Sequence, residues 1–431
     1  MKLTISSVLL SVLLASSAVS AAPLQARNQK SKSKMMMGGT QAASPAAKAA
    51  VGAMYFITNE GTGNFVVAAA IGSDGKVTLQ QATSSEGMGS HGAPGDGPDA
   101  LFTQGAVKAS AAGNIVATVN AGSNTLSVFN IDPTNPTNLE MIGKPVGSGG
   151  EFPVSLAINK AGNMVCTVNG GFVNGVACYT VDKTKGLLPI ANTVRSLKLN
   201  QTTPATGPAG SVSHVIFSED NTQLIASVKG IPPTPGILAV WDIAADGSLS
   251  QDFKAVTPAT GGLLPFSMTI IPGKNAILAT DAGLGVDVFD FSAGAAAGVA
   301  AGKSSTLPID GQGATCWSSF SPKTGNFYVT DIGTATVTEI NVDDNLKPSI
   351  VTQYPQGNGT ATIDNDIATV GANDFMYVLA ANASQVQILS LNAPGKAAAL
   401  QTLDIAGPAK AAGLTVNPDN LQGMTTFIKK A

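Results

Sequence analysis

Charge is scarce in this chain: Asp, Glu, Lys and Arg make up 12% of its 431 residues, and only two residues are His. Two histidines exclude a three-His metal site. The sequence has no Gly-x-Ser-x-Gly nucleophile elbow, no Cys-x-x-Cys pair and no phosphate-cradling glycine loop that opens a helix. The Gly-rich "GSGGEF" near Gly147 leads into a strand instead. No metal or organic cofactor is implied. After the first residues no hydrophobic run is long enough to span a bilayer. Aromatics are few, and the cysteines number three.

The N-terminus reads "MKLTISSVLLSVLLASSAVSAAPLQ", a Lys, a short apolar stretch and then small residues. This is the pattern of a secretory signal peptide over residues 1–21. Residues 22–50 contain no acidic residue and read as a disordered or processed leader. The body, 51–431, holds all 27 acidic residues and 18 of the 24 basic ones, since Lys2, Arg27, Lys30, Lys32, Lys34 and Lys48 precede it; its formal charge is 18 − 27 = −9. Such a body has no use for nucleic acid. The expected product is a secreted monomer, extracellular or associated with the cell wall, without a membrane span.

What the chain does have is Gly, Val, Ile and Thr in short alternating runs. "NIVATVNAGSNTLSVFNID" is a hairpin by its pattern, and the phrase returns. The runs "MYFITN", "IVATVN", "MVCTVN", "LIASVK", "AILATD", "FYVTD" and "MYVLAA" end at Asn59, Asn120, Asn169, Lys229, Asp281, Asp331 and Ala381, so the spacings are 61, 49, 60, 52, 50 and 50. A period near 40–50 residues marks a four-stranded propeller blade. Each run is a second strand (B), preceded by a strand such as "SHVIFSEDN" (A) and followed by one such as "GVDVFDF" (C). The fold expected is all-β, a seven-bladed propeller over 51–431. The first B strand lacks an A strand before it, and the segment "AAGLTVNPDN" (411–420) has no B strand after it. A C-terminal strand drawn from 411–420 would complete the first blade and remove the open edges.

In such a ring the loops entering A and leaving B open on one face, and side chains from seven blades meet at one mouth. The A side brings His91, Asp96, Asp99, Glu151, His214, Asp310, Gln312, Trp317, Asp364, Asp366 and Lys410. The B ends bring Asn59, Asn120, Asn169, Lys229, Asp281 and Asp331. Asp and Asn at such places often satisfy turn backbones; a His there can act as a general base. Cys166 and Cys178 fall opposite each other in a hairpin centred near Phe172 and can form a cross-strand disulfide. Cys316 is left as a small buried apolar residue. Glycosylation sequons stand at Asn200, Asn358 and Asn382.

The phrases "NAGSNTLSVFNID", "FPVSLAINKAGNMVCTVNGG" and "FSEDNTQLIASVKG" resemble the lactonase-type seven-bladed propellers, and among them the secreted fungal proteins similar to 3-carboxy-cis,cis-muconate cyclase. The resemblance covers residues 52–431. It implies a lactonising or lactone-opening reaction, with a His at an A-strand start, a carboxylate ending a B strand and two Arg at the mouth. His214 and Asp281 stand at or beside the first two positions, whereas Phe266 and Ile332 stand where the arginines would be. The only Arg of the body, Arg195, falls in a peripheral strand. Two readings follow. One is an exported lactonase or cycloisomerase with His214 as proton-transfer group and Asp281 as its carboxylate. The other is a non-catalytic propeller that binds an extracellular glycan or protein.

Overall fold

The computed structural model describes residues 33–38, 50–295, 298–299 and 302–430. The signal peptide expected at 1–21 lies outside them, as does most of the segment read as a leader. Within that segment Lys34–Met36 form a strand against the outer strand of the first blade.

The β-branched runs pair as their alternation predicts, almost all with a sequence neighbour, into seven sheets whose four blade strands are antiparallel. Blade 1 is Gln422–Ile428, Gly52–Ile57, Phe65–Ile71 and Val77–Ser84. Blade 2 is Val107–Ser110, Ile115–Asn120, Thr125–Ile131 and Leu139–Met141. Blade 3 is Pro153–Ile158, Met164–Asn169, Gly175–Asp182 and Gly186–Pro189. Blade 4 is Val212–Phe217, Gln223–Val228, Ile237–Asp242 and Lys254–Thr257. Blade 5 is Pro265–Ile271, Ala276–Asp281, Gly285–Asp290 and Ser305–Pro308. Blade 6 is Thr315–Ser321, Asn326–Asp331, Thr336–Val342 and Pro348–Pro355. Blade 7 is Thr362–Val370, Asn373–Ala380, Gln385–Leu391 and Ala397–Asp404. The first strand of each blade touches the first strand of the next, and the seventh touches the first, so the ring closes. The apolar faces of neighbouring blades pack on each other and bury Tyr55, Phe129, Trp241, Phe289, Tyr328 and Tyr377.

The C-terminal strand completes blade 1, but from residues further on than the sequence pattern suggests. Gln422–Ile428 pairs antiparallel with Gly52–Ile57, Met54 opposite Thr426. The proposed segment 411–420 instead begins at the end of a helix, Ala406–Ala412, followed by turn residues. The Ala-rich "AGPAKAA" favours helix. Gly413, at φ +74°, ends it in the left-handed conformation that only Gly adopts cheaply.

Six of the A strands share one device. Their pairing with B is interrupted near the start, between Gln422 and Thr425, Pro153 and Ser155, Val212 and His214, Pro265 and Met268, Thr315 and Trp317, and Ile363 and Asn365. A β-bulge leaves a residue unpaired and re-aims its groups. Here it frees backbone carbonyls and side chains at the top of the axial channel, and they meet a loop that comes from elsewhere in the ring. Among the described residues no helix is long and apolar enough to cross a membrane.

Candidate functional site

The long connection between blade 1 and blade 2 runs from Ser85 to Ala106 and does not stay on the rim. Its segment Asp99–Gln104, "DALFTQ", enters the axial mouth and is buried throughout. Gln104 reaches across the axis: its Nε2 donates to Ser318 O at 2.9 Å, and its Oε1 accepts the Ser318 N–H at 3.1 Å. The Gln104 carbonyl accepts from Ser155 Oγ at 2.7 Å, and its N–H donates to Ser213 O at 3.2 Å. Thr103 Oγ1 donates to the same Ser213 carbonyl, and Thr103 O accepts from Trp317 Nε1 at 2.7 Å. The Leu101 N–H donates to Gln422 Oε1 at 3.3 Å. One segment is thereby bonded to blades 1, 3, 4 and 6.

A second layer covers it. Residues 92–93 bond to the connection before blade 4, with the Ala93 N–H donating to Ala205 O at 2.8 Å. The Phe102 ring lies between Gly92 and Gly207. A Cβ on either glycine would stand 2.4 or 2.5 Å from that ring, so no other residue fits there without displacing it.

Within this plug and beneath it lie ionisable groups that carry little of their usual freedom. Lys229 is 2% exposed; its Nζ donates to Phe102 O at 2.8 Å and to Val212 O at 3.0 Å and stands 4.5 Å over the Phe266 ring. Burial pushes this amine down to about 7, opposed by the negative charge of Asp99. Asp99 and Asp364 share the Gln422 amide, which donates to Asp99 Oδ1 at 3.0 Å and to Asp364 Oδ2 at 2.9 Å. Burial raises both carboxyls, Asp364 to about 7. Asp364 Oδ2 also accepts the Gly423 N–H at 2.6 Å, whereas its Oδ1 has no partner. Cys316 is buried beside this group, and desolvation pushes its thiol well up.

His214 sits on the A strand of blade 4, 2% exposed. Its Nδ1 accepts the Met268 N–H at 3.0 Å, which fixes the proton of the neutral ring on Nε2; that atom has no partner. Burial, with the charge of Lys108, holds its pKa well below the usual range. The ring is thus a neutral imidazole with one free N–H inside the channel.

Asp281 is fully buried and serves its own blade: it accepts the N–H groups of Leu263, Leu264 and Gly283 at 2.5, 3.0 and 2.7 Å. His214 and Asp281 share no hydrogen bond among the described residues. Asp331 repeats the pattern on blade 6 with the N–H groups of Gly313, Ala314, Gly333 and Thr334. These B-end carboxylates tie down the loop that enters A, the turn-satisfying role open to Asp at such sites. Asp287, next to Asp281 and fully buried, has neither oxygen bonded, and desolvation and the Asp281 charge both raise its pKa.

The other expected mouth residues do not gather at one place. Trp317 is fully buried, edge-on to Phe266 with centroids 5.3 Å apart. Glu151 accepts from Thr203 Oγ1 at 2.5 Å. Asp310 and Gln312 line a separate cavity of about 90 Å³ with Asp331. Asp366 is bonded to the N–H and hydroxyl of Thr426 at 2.7 and 2.9 Å. Lys410 is exposed on the short helix. His91 is half-buried in the covering layer, its ring nitrogens against Gly92 O and Gly97 O, and Asp96 is exposed. Among the described residues no group of three His, Cys, Asp or Glu is placed to hold a metal.

Cys166 and Cys178 face each other on neighbouring strands and are joined by a disulfide. Asn200 and Asn358 lie in connections entering A strands and Asn382 in a turn leaving a B strand; all three are exposed on the mouth face.

Phe102, Thr103, Gln104 and Gln422 do not stand out in the sequence. The one available signal is a connection of more than 20 residues carrying the apolar pair Leu101–Phe102, since a long ordered loop with apolar residues needs something to bury them.

Residues 46–204 match the family described as "Lactonase, 7-bladed beta-propeller". No curated protein matches the chain in sequence. Among solved structures, the chain is similar to a "putative 6-phosphogluconolactonase" from Bacteroides fragilis (TM-score 0.61, 15% identity, covering 89% of this chain and 99% of that one). It is also similar to a periplasmic gluconolactonase from Pseudomonas aeruginosa (TM-score 0.59, 18% identity, covering 82% and 96%). At these identities the likeness is one of fold.

Proposed function

Taking the chain as a lactonase-type seven-bladed propeller, we propose that it is an exported binding protein whose axial mouth does not turn over a lactone. One observation carries this reading: Asp99–Gln104 fills the mouth, bonded to four blades and covered by a second layer of chain. A lactone carbonyl has no room at the place where the blades converge.

The chemistry beneath the plug supports the same reading. A substrate with several carboxylates needs cationic partners. Phe266 and Ile332 occupy the places where the resemblance calls for arginines, and Lys229 spends its donors on backbone carbonyls. Asp281 is consumed by three backbone N–H groups and does not orient His214. Binding then falls to the outer surface of the ring. On the mouth face Phe172 and Ile231 are 73% and 65% exposed in turns that leave B strands, an apolar rim suited to an extracellular protein or glycan. N-glycans at Asn200, Asn358 and Asn382 would decorate the same face.

The enzymatic reading keeps one observation in its favour, the unpartnered Nε2–H of His214. A panel of γ- and δ-lactones separates the two. The expected result is no hydrolysis above buffer by the full chain, with retention of the protein on a glycan or matrix-protein array. Lactone turnover that His214→Ala abolishes would contradict the proposal.

A further inference from the structure

On the face opposite the plug, where turns join A to B strands, blades 2 to 5 line an open pocket of about 420 Å³. That volume lies in the range of small-molecule sites. Its wall is apolar, with Ile158, Val215, Ile216, Phe217 and Ile270 contributing from three A strands. Ile158, Ile216 and Ile270 remain half-buried, which leaves apolar surface to cover.

Two lysines enter this apolar surface. Lys160 is exposed at the rim. Lys108 is half-buried on the A strand of blade 2, and its Nζ makes no hydrogen bond or ion pair among the described residues. Having no hydrogen-bond or ion-pair partner from the protein, this amine is left for solvent or a ligand, while its stem lies along the apolar wall. The acid on the cavity wall, Glu219, is already engaged: both its oxygens accept the Gly273 N–H at 3.0 Å.

The charge of Lys108 also acts on His214, Asp364 and Asp366, none of which lines the pocket. Asp366 is taken up by Thr426.

We propose that this pocket is a binding site on the face opposite the plug, and that it takes a small monocarboxylate with an apolar body, the carboxylate meeting Lys108 and the body lying against Ile216 and Ile270. The unpartnered Lys108 supplies the charge, and the half-buried isoleucines supply the surface. The site is independent of the mouth and of what the mouth does.

The test uses the full chain and benzoate as probe, with benzyl alcohol as its uncharged counterpart, followed by calorimetric titration. Benzoate is expected to bind, and benzyl alcohol to bind at least about tenfold more weakly, because it forfeits a charge-assisted bond. Lys108→Met should weaken benzoate by about tenfold or more and leave benzyl alcohol unchanged. Ile216→Trp, which fills the cavity without touching the charge, should abolish both. Should Lys108→Met fail to fold, Ile216→Trp decides, read beside its unfolding curve. No benzoate binding at concentrations up to about 10 mM, or equal binding by the wild type and a folded Lys108→Met or Ile216→Trp variant, overturns the proposal.

Discussion

Gln104 and Ser318 stand on opposite sides of the ring axis and exchange two hydrogen bonds, at 2.9 and 3.1 Å, although 214 residues separate them. One comes from the loop between blades 1 and 2, the other from the bulged start of blade 6. The side-chain amide of Gln104 thus does for Ser318 what a neighbouring strand would do. The plug is consequently a structural member of the ring, and its removal should cost stability as a core change does.

Gln104→Ala is expected to lower the free energy of unfolding by about 2–4 kcal/mol, since it leaves the Ser318 N–H and C=O buried and unpaired. Urea unfolding of the variant beside the wild type measures this. A loss of a few tenths would mean that the two groups find other partners and that the plug is loosely held.

The carboxyls under the plug make stability depend on pH in a direction opposite to that of ion-paired acids. Burial raises Asp364 from 3.8 to about 7 and raises Asp99 and Asp366 in the same sense. Between those two values the folded chain keeps a proton that the unfolded chain has released. The contribution of Asp364 is therefore complete below the unfolded value and is lost as pH rises through the folded one. Asp364→Asn should remove it: the variant is expected to lose less stability than the wild type between about pH 4 and pH 7, by roughly 2–4 kcal/mol. Urea midpoints at the two ends of that window test the sign. Parallel curves for both proteins would contradict it.

The seven blades are legible in the sequence because each B strand is buried on both faces and bounded by turn residues, which gives a run such as "MVCTVN" a recognisable outline. The closing strand is harder to read. "GLTV" at 413–416 has the look of a strand start, yet Gly413 ends a helix, and the pairing residues "QGMTTFI" carry no turn signal of their own. The facing of Cys166 and Cys178 could be read from hairpin arithmetic, because register in a hairpin is local. The plug could not. The burial of Thr103 and Gln104 depends on carbonyls freed by bulges on blades far away in the chain, and no short-range pattern encodes that. For the same reason the sequence brings Asp281 to the mouth as a candidate for catalysis, whereas its three bonds to the backbone appear only once the entering loop is folded beside it.

The Cys166–Cys178 disulfide closes a short loop between neighbouring strands, with a sequence separation of 12. Chain-entropy arguments give such a loop a contribution of about 2–3 kcal/mol. The double variant Cys166→Ala, Cys178→Ala is expected to keep the fold and unfold at lower urea by that amount. Because both sulfurs are buried, the native protein should also resist reduction until it opens. Rapid reduction by a mild thiol under native conditions would show that blade 3 opens locally.

Backbone hydrogen exchange over Asp99–Gln104 bears most directly on the claim that the mouth is closed by the chain's own segment. The amides of Leu101, Phe102, Thr103 and Gln104 donate to Gln422 Oε1, Asp99 O, Asp99 Oδ1 and Ser213 O. They should exchange as slowly as those of the central strands, through unfolding of the ring. Exchange as fast as that of the exposed rim turns, with the rest of the ring protected, would make the segment a mobile lid and return the mouth to use as an active site.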